Sequence, residues 1–126
     1  MNTFIGYLDV EQYKIVSSDI ITDEVIITQR QIDHIQQRHP EDYETFFPCF
    51  AEIIKEPDYI LKADYPNTAL ILKEVSVGGQ PVKMILRLAV SADNPDHKNS
   101  VITFMRIHRK EWKRLLKNKI ILYKRA

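Results

Sequence analysis

Ile27-Thr28-Gln29-Arg30-Gln31-Ile32-Asp33-His34-Ile35-Gln36-Gln37-Arg38-His39-Pro40-Glu41-Asp42 is the stretch on which the rest of the chain is organised. Two histidines, two arginines and two helix boundaries fall within it. Thr28 is suited to cap a helix, because its hydroxyl can accept from the free N–H groups of the first turn. At about 100° per residue, Ile32 and Ile35 fall on one face, and His34 and Arg38 stand one turn apart on the roughly opposite, polar face. Pro40 stops simple continuation and pushes His39 toward extended geometry. The same proline suits the first position of a second helix, with Glu41 and Asp42 at its positive end. His39 is thereby held at a helix–helix corner, where the carbonyl end of the first helix favours a protonated imidazole. Two readings stay open: a hydrogen-bonded corner residue, or an acid–base group.

Composition narrows the class. The chain has 126 residues, 44% hydrophobic and 28% charged, with 3 Gly, 6 Pro and a single cysteine. That is an ordinary globular composition, expected to form one domain over residues 1–126 with a core that needs no staples. Cys49 sits in the apolar run Phe46-Phe47-Pro48-Cys49-Phe50-Ala51, reads as an inert buried thiol, and permits no intrachain disulfide. No run approaches the roughly 18 apolar residues of a membrane span, and no secretory signal is visible. A cytoplasmic protein without a membrane role is expected. The net charge of +1 hides a gradient: residues 1–66 carry 5 Lys/Arg against 13 Asp/Glu, and residues 98–126 carry 10 against 1. A basic third of a small domain suits a polyanion such as RNA, with Lys110, Lys113 and Arg114 as substrate-binding candidates beside Lys117. The alternative reading, of equal weight on charge alone, is that the acidic and basic parts simply face each other in the fold.

The N-terminal runs Phe4-Ile5-Gly6-Tyr7-Leu8, Lys14-Ile15-Val16 and Glu24-Val25-Ile26-Ile27 read as short strands, with a hairpin turning near Asp9 to Gln12. The role of residues 1–24 is open. A second helical segment runs from Pro40 to Lys55, broken or kinked by Pro48. Beyond Asp58 the period becomes that of strands: Tyr59 to Lys62, Ala69 to Val75, Val82 to Val90 and Ser100 to His108. Val77-Gly78-Gly79-Gln80-Pro81 reads as a turn and Ser91 to Asn99 as an exposed loop. A helix over Arg109 to Lys117 follows, and Ile120-Ile121-Leu122-Tyr123 is apolar enough to dock as a last strand. The expected fold is α+β: N-terminal short strands and helices, then a four-stranded antiparallel sheet, then a C-terminal helix.

Strict alternation puts Val101, Thr103, Met105 and Ile107 on one face of the fourth strand, and Ser100, Ile102, Phe104, Arg106 and His108 on the other. Thr103 is then either a core-edge residue or a hydroxyl for chemistry. Lys83 and Arg87, roughly 13 Å apart along the third strand, stand on its open face as a phosphate-binding surface or as solvated charges. Metal ligation fits poorly: His34 and His39 are about 140° apart on a helix, and there is no Cys pair, Gly-rich phosphate loop or nucleophile elbow. His97 and His108 read as surface residues. No metal and no cofactor are expected. Acid–base chemistry with His, Arg, Lys and Ser/Thr remains, a set suited to cleaving RNA through its own 2′-OH.

The runs Ile27-Thr28, Asp33 to Tyr43 with its His-Ile-x-x-Arg-His-Pro, Pro57-Asp58-Tyr59-Ile60, Asn67 to Lys73, Lys98 to Phe104, Trp112-Lys113-Arg114 and Tyr123-Lys124 resemble the phage-associated nucleases of the barnase–EndoU–colicin–RelE class. The resemblance covers roughly residues 25–125. It implies an open-faced antiparallel sheet after a helical part, metal-independent endoribonuclease activity by 2′-OH transesterification, and toxins neutralised by a partner. The matching positions are His34, Arg38 and His39 on the helix and Ser100 and Thr103 on the strand, taken as catalytic candidates. RNA (tRNA or other) is the implied substrate, and an immunity or antitoxin protein the implied partner. The alternative is a non-catalytic nucleic-acid- or protein-binding module derived from such a nuclease.

Overall fold

A computed structural model describes residues 1–76 and 78–126; Val77, within the expected turn, lies outside the described residues. The elements are β1 (Asn2–Tyr7), α1 (Val10–Tyr13), β2 (Glu24–Thr28), α2 (Gln29–Arg38), α3 (Pro40–Phe46), a 3₁₀ turn (Phe47–Cys49), α4 (Phe50–Lys55), β3 (Tyr59–Lys62), β4 (Thr68–Val75), β5 (Gln80–Arg87), β6 (Asn99–Arg106), α5 (Arg109–Asn118) and β7 (Ile121–Lys124). No helix among them is long and apolar enough to cross a membrane.

Local chemistry accounts for the helix boundaries. The Thr28 hydroxyl accepts from the Gln31 N–H while the Gln31 side chain accepts from the Thr28 N–H, both at 3.2 Å, a reciprocal capping box that starts α2. At its other end His39 donates its N–H to the Ile35 carbonyl, and Pro40 opens α3 with Glu41 and Asp42 in the first turn. Pro48 falls in the 3₁₀ turn, so the Pro40-to-Lys55 segment is two short helices at an angle rather than one. Gly78 and Gly79 take φ of 69° and 61°, the left-handed region that closes the β4–β5 hairpin.

The sheet corrects the four-stranded expectation. It has seven strands in the order β1-β2-β6-β5-β4-β3-β7. The expected meander is its antiparallel middle, but β2 joins parallel to β6 through Val25–Asn99 and Ile26–Ser100, which makes the sheet mixed. β1 and β7 add the two edges. Residues 14–16 form no strand, and Asp9–Gln12 is no hairpin turn. The Asp9 carboxylate accepts from the Glu11 and Gln12 N–H groups and starts α1, which delivers Tyr13 into the core. β5 stops at Arg87 instead of Val90, because Asn99 draws Ala89 away by accepting its N–H at 2.8 Å.

Strict alternation along β6 is also corrected. Leu86 pairs with Val101 and Ile85 with Thr103, leaving Ile102 as the extra residue of a bulge. Val101 and Phe104 both enter the core under the helices, with Phe50 stacked 4.6 Å from Phe104 between ring centroids. That core also takes Val82, Met84 and Leu86 of β5 and Ile32 and Ile35 of α2. A smaller cluster on the opposite face, built on Leu61, Leu70, Leu72, Ile107 and Leu115, docks α5 over β3 and β4.

Candidate active site

Helices α1–α4 cover one face of the sheet and α5 covers only part of the other. The part left open belongs to β5 and β6. Residues alternate to opposite faces, so with Val82, Met84 and Leu86 in the core, Lys83, Ile85 and Arg87 face the open side. Their cross-strand partners are Met105, Thr103 and Ser100. The bulge at Ile102 is what places Ser100 and Thr103, three apart in sequence, on one face. The structure thus puts Lys83, Arg87, Ser100 and Thr103 on one face of the sheet and sets Arg87 directly opposite Ser100.

A cleft of about 380 Å³ lies at the Ser100 end, walled by Thr28, Gln31, Arg87, Asp93, His97 and Lys98. The Ser100 hydroxyl donates to Gln31 Oε1 at 2.9 Å, the same oxygen that caps α2, so the helix start and the strand hydroxyl are fixed to each other. The Arg87 guanidinium donates to the Leu88 carbonyl and, at 3.0 Å, to Asp93. The Val90 N–H, and beyond it the Arg87 guanidinium, hold the Asp93 carboxyl below the usual carboxylate range. Lys98 bonds Glu24 at 2.6 Å, and that hydrogen bond raises its pKa and keeps the cation charged. Buried Asn99 ties the three strand ends together: its amide donates to the Thr22 and Glu24 carbonyls and its oxygen accepts from Ala89.

His34, Arg38 and His39 are placed differently. α2 runs beside β6, pinned near Ser100 by Gln31. At the far end Asp42 accepts from the Arg106 N–H at 3.1 Å and from its guanidinium at 2.6 Å. Gln31, His34 and Arg38 fall within about 60° of one another around a helix, so His34 and Arg38 continue the flank that Gln31 opens. Both are exposed. His39 stands apart from Ser100 and Arg87, its Nδ1 4.0 Å from Asp42, in a second cleft of about 330 Å³ with Arg106 and His108. Lys110, Lys113 and Arg114 are exposed on α5, where Arg114 pairs with Glu111 at 2.6 Å. Among the described residues no group of three or more His, Cys, Asp or Glu side chains is placed to hold a metal ion.

Gln31, Asp93, His97 and Lys98 were not singled out for this cleft by sequence reasoning. The signal for His97 is topological: residues 88–98 join antiparallel neighbours, so their side chains hang over the ends of those strands. Gln31 carries the signature of a capping partner, which says nothing of its second bond.

An open sheet face bearing cations, hydroxyls and an imidazole beside a capped helix carries the groups that phosphodiester chemistry uses, and the class it fits is that of a small α+β nuclease. Residues 5–124 match the family described as phage-Barnase-EndoU-ColicinE5/D-RelE like nuclease2, and the chain belongs to that family. No curated protein and no solved structure gives a significant match.

Proposed function

We propose that the protein is an endoribonuclease that cleaves RNA by transesterification. The observation that carries this reading is the pairing of Arg87 and Ser100 as cross-strand neighbours in one cleft walled by His97 and Lys98. In the reaction a base takes the 2′-OH proton, the 2′-oxygen bonds to phosphorus, the bond from phosphorus to the 5′-oxygen breaks, and an acid protonates that oxygen. His97 on the loop and His34 on the α2 flank are the acid–base pair of this proposal. Arg87 has three N–H groups beyond its two protein bonds, and with Lys98 it offsets the charge of the phosphorane. Ser100 and Thr103 hydrogen-bond the phosphate oxygens, while Lys83, Arg38 and His39 serve flanking phosphates. The setting we propose is a phage-borne or polymorphic toxin acting in the cytoplasm on tRNA or another RNA, restrained by an acidic immunity or antitoxin protein.

A second reading rests on one observation, the partial neutralisation of Arg87 by Asp93: a module that binds nucleic acid without cutting it. One experiment separates the two. Purified protein is incubated with total RNA and tRNA in EDTA, and fragment ends are analysed. Cleavage leaving 2′,3′-cyclic phosphate and 5′-hydroxyl ends is expected. Binding without fragments would establish the module instead.

A further inference from the structure

Next to the polar cleft lies a second hollow of about 550 Å³, lined by Tyr65, Pro66, Thr68, Ile85, Arg87 and Ile102. Arg87 and Ile102 line both, so the two adjoin. The new hollow is apolar apart from Arg87, Thr68 and the Tyr65 phenol, and the Thr68 hydroxyl already donates to the Pro66 carbonyl at 2.9 Å. At its rim Tyr65 is 76% exposed, an aromatic ring left in water. The segment carrying it is clamped. Lys119 holds Asp64 at 2.8 Å, Pro66 fixes its own φ, and Asn67 takes a left-handed φ of 56°. Ser17 donates to the Asn67 side chain at 2.7 Å, and Leu88 donates to its carbonyl at 2.8 Å. Folding therefore presents an exposed ring on a braced loop, one step from the arginine proposed to hold phosphate.

We infer that Tyr65 with Ile85 and Ile102 forms a nucleobase platform, on which the base adjoining the phosphate at Arg87 stacks. The inference rests on the nucleic-acid reading of the cleft and adds the base to it. A single-stranded nucleic acid places a flat apolar base beside each phosphate, matching an apolar hollow that adjoins a cationic cleft. With the Thr68 hydroxyl engaged and Arg87 given to the phosphate, the hollow offers the base stacking and shape ahead of edge contacts, so it tolerates different bases.

The test uses the full chain and a fluorescein-labelled octamer of 2′-O-methyluridine, which cannot be cleaved, with binding read by anisotropy across a salt series. Tyr65→Ala should weaken binding about tenfold and leave the salt slope unchanged, since stacking displaces no counterions. Tyr65→Phe should stay within twofold. Arg87→Gln should instead flatten the slope by about 0.7, one single-strand phosphate contact. An octamer with abasic sites should bind wild type as weakly as the intact octamer binds Tyr65→Ala. Unchanged affinity in Tyr65→Ala overturns the platform and leaves the ring for a protein partner. Equal losses in the Phe and Ala variants with a lowered Tm also overturn it, in favour of a structural role. The ribonuclease reading is judged separately with cleavable RNA. Cleavage with no Tyr65 effect on binding or KM removes the platform alone, whereas a Tyr65 effect without cleavage removes the reaction alone.

Discussion

Asn99 illustrates how one residue can fix a site without touching a substrate. Fully buried, it satisfies one carbonyl before β2, one at its first residue and one N–H after β5, and its neighbour Ser100 is positioned as a result. Asn99→Ala leaves those groups unpaired in a closed environment and should cost about 3 kcal/mol in urea unfolding, well above a surface substitution. Tyr13 does similar service for α4, whose last carbonyls lack helical partners: its hydroxyl donates to the Ile54 carbonyl at 2.6 Å. Tyr13→Phe keeps the packing and should lose about 1 kcal/mol. Asp93 makes a pH-dependent contribution. A carboxyl held below its unfolded value stabilises the fold above that value and loses the contribution as pH falls through the folded one. The Tm gap between wild type and Asp93→Ala should therefore be steady from neutral pH down to the ordinary carboxylate range and close below it.

Among the elements, β6 decides the site through its bulge. Removing Ile102 would leave every other β5–β6 partnership in register, from Arg87–Ser100 to Val82–Arg106. The deletion variant is expected to fold, with the same circular dichroism, while nucleic-acid binding drops on the order of tenfold because one of the two residues shared by both hollows is gone. The bulge also marks where sequence reasoning stopped. The cap at Thr28, the Ile32/Ile35 face and the Gly78-Gly79 turn are legible because they depend on neighbours a few residues away. A bulge, a parallel strand partner and the burial of Asn99 depend on what lies opposite, which no local pattern encodes. Lys83 and Arg87 could be placed on a common face because β5 alternates without interruption. The cleft wall could not, because residues 88–98 have no period to read.

At the scale of the whole molecule, both readings of the charge gradient hold in part. Lys98, Arg106, Arg109, Lys119 and Arg125 pair with Glu24, Asp42, Glu74, Asp64 and Asp58, so five cations of the basic third are met by earlier acids. Lys110, Lys113 and Lys117 line the solvent side of α5, opposite Trp112, Leu115 and Leu116, with no ion pair among the described residues. α5 packs on the same side of the sheet as the cleft, so this stripe extends the cationic surface beyond Lys83. Replacing the three lysines with glutamine should flatten the salt dependence of RNA binding by up to about 0.7 per lysine, with little change in Tm. An unchanged slope would mark them as a solvated helix face.

The parallel alliance of β2 with β6 also carries a consequence in time. Val25 waits about seventy residues for its partner Asn99, whereas β4 and β5 meet across a tight turn. Pulse-labelled hydrogen exchange during refolding should protect the β4–β5 amides first and the amides of the β2–β6 ladder last. On a ribosome, β2 can pair with β1 but finds no partner for its other edge until β6 has been made, and Ser100 reaches the cleft in the same step. The cleft therefore stays open-sided until the last quarter of these residues is synthesised, and a nascent chain carries no assembled site beside the RNA that is producing it.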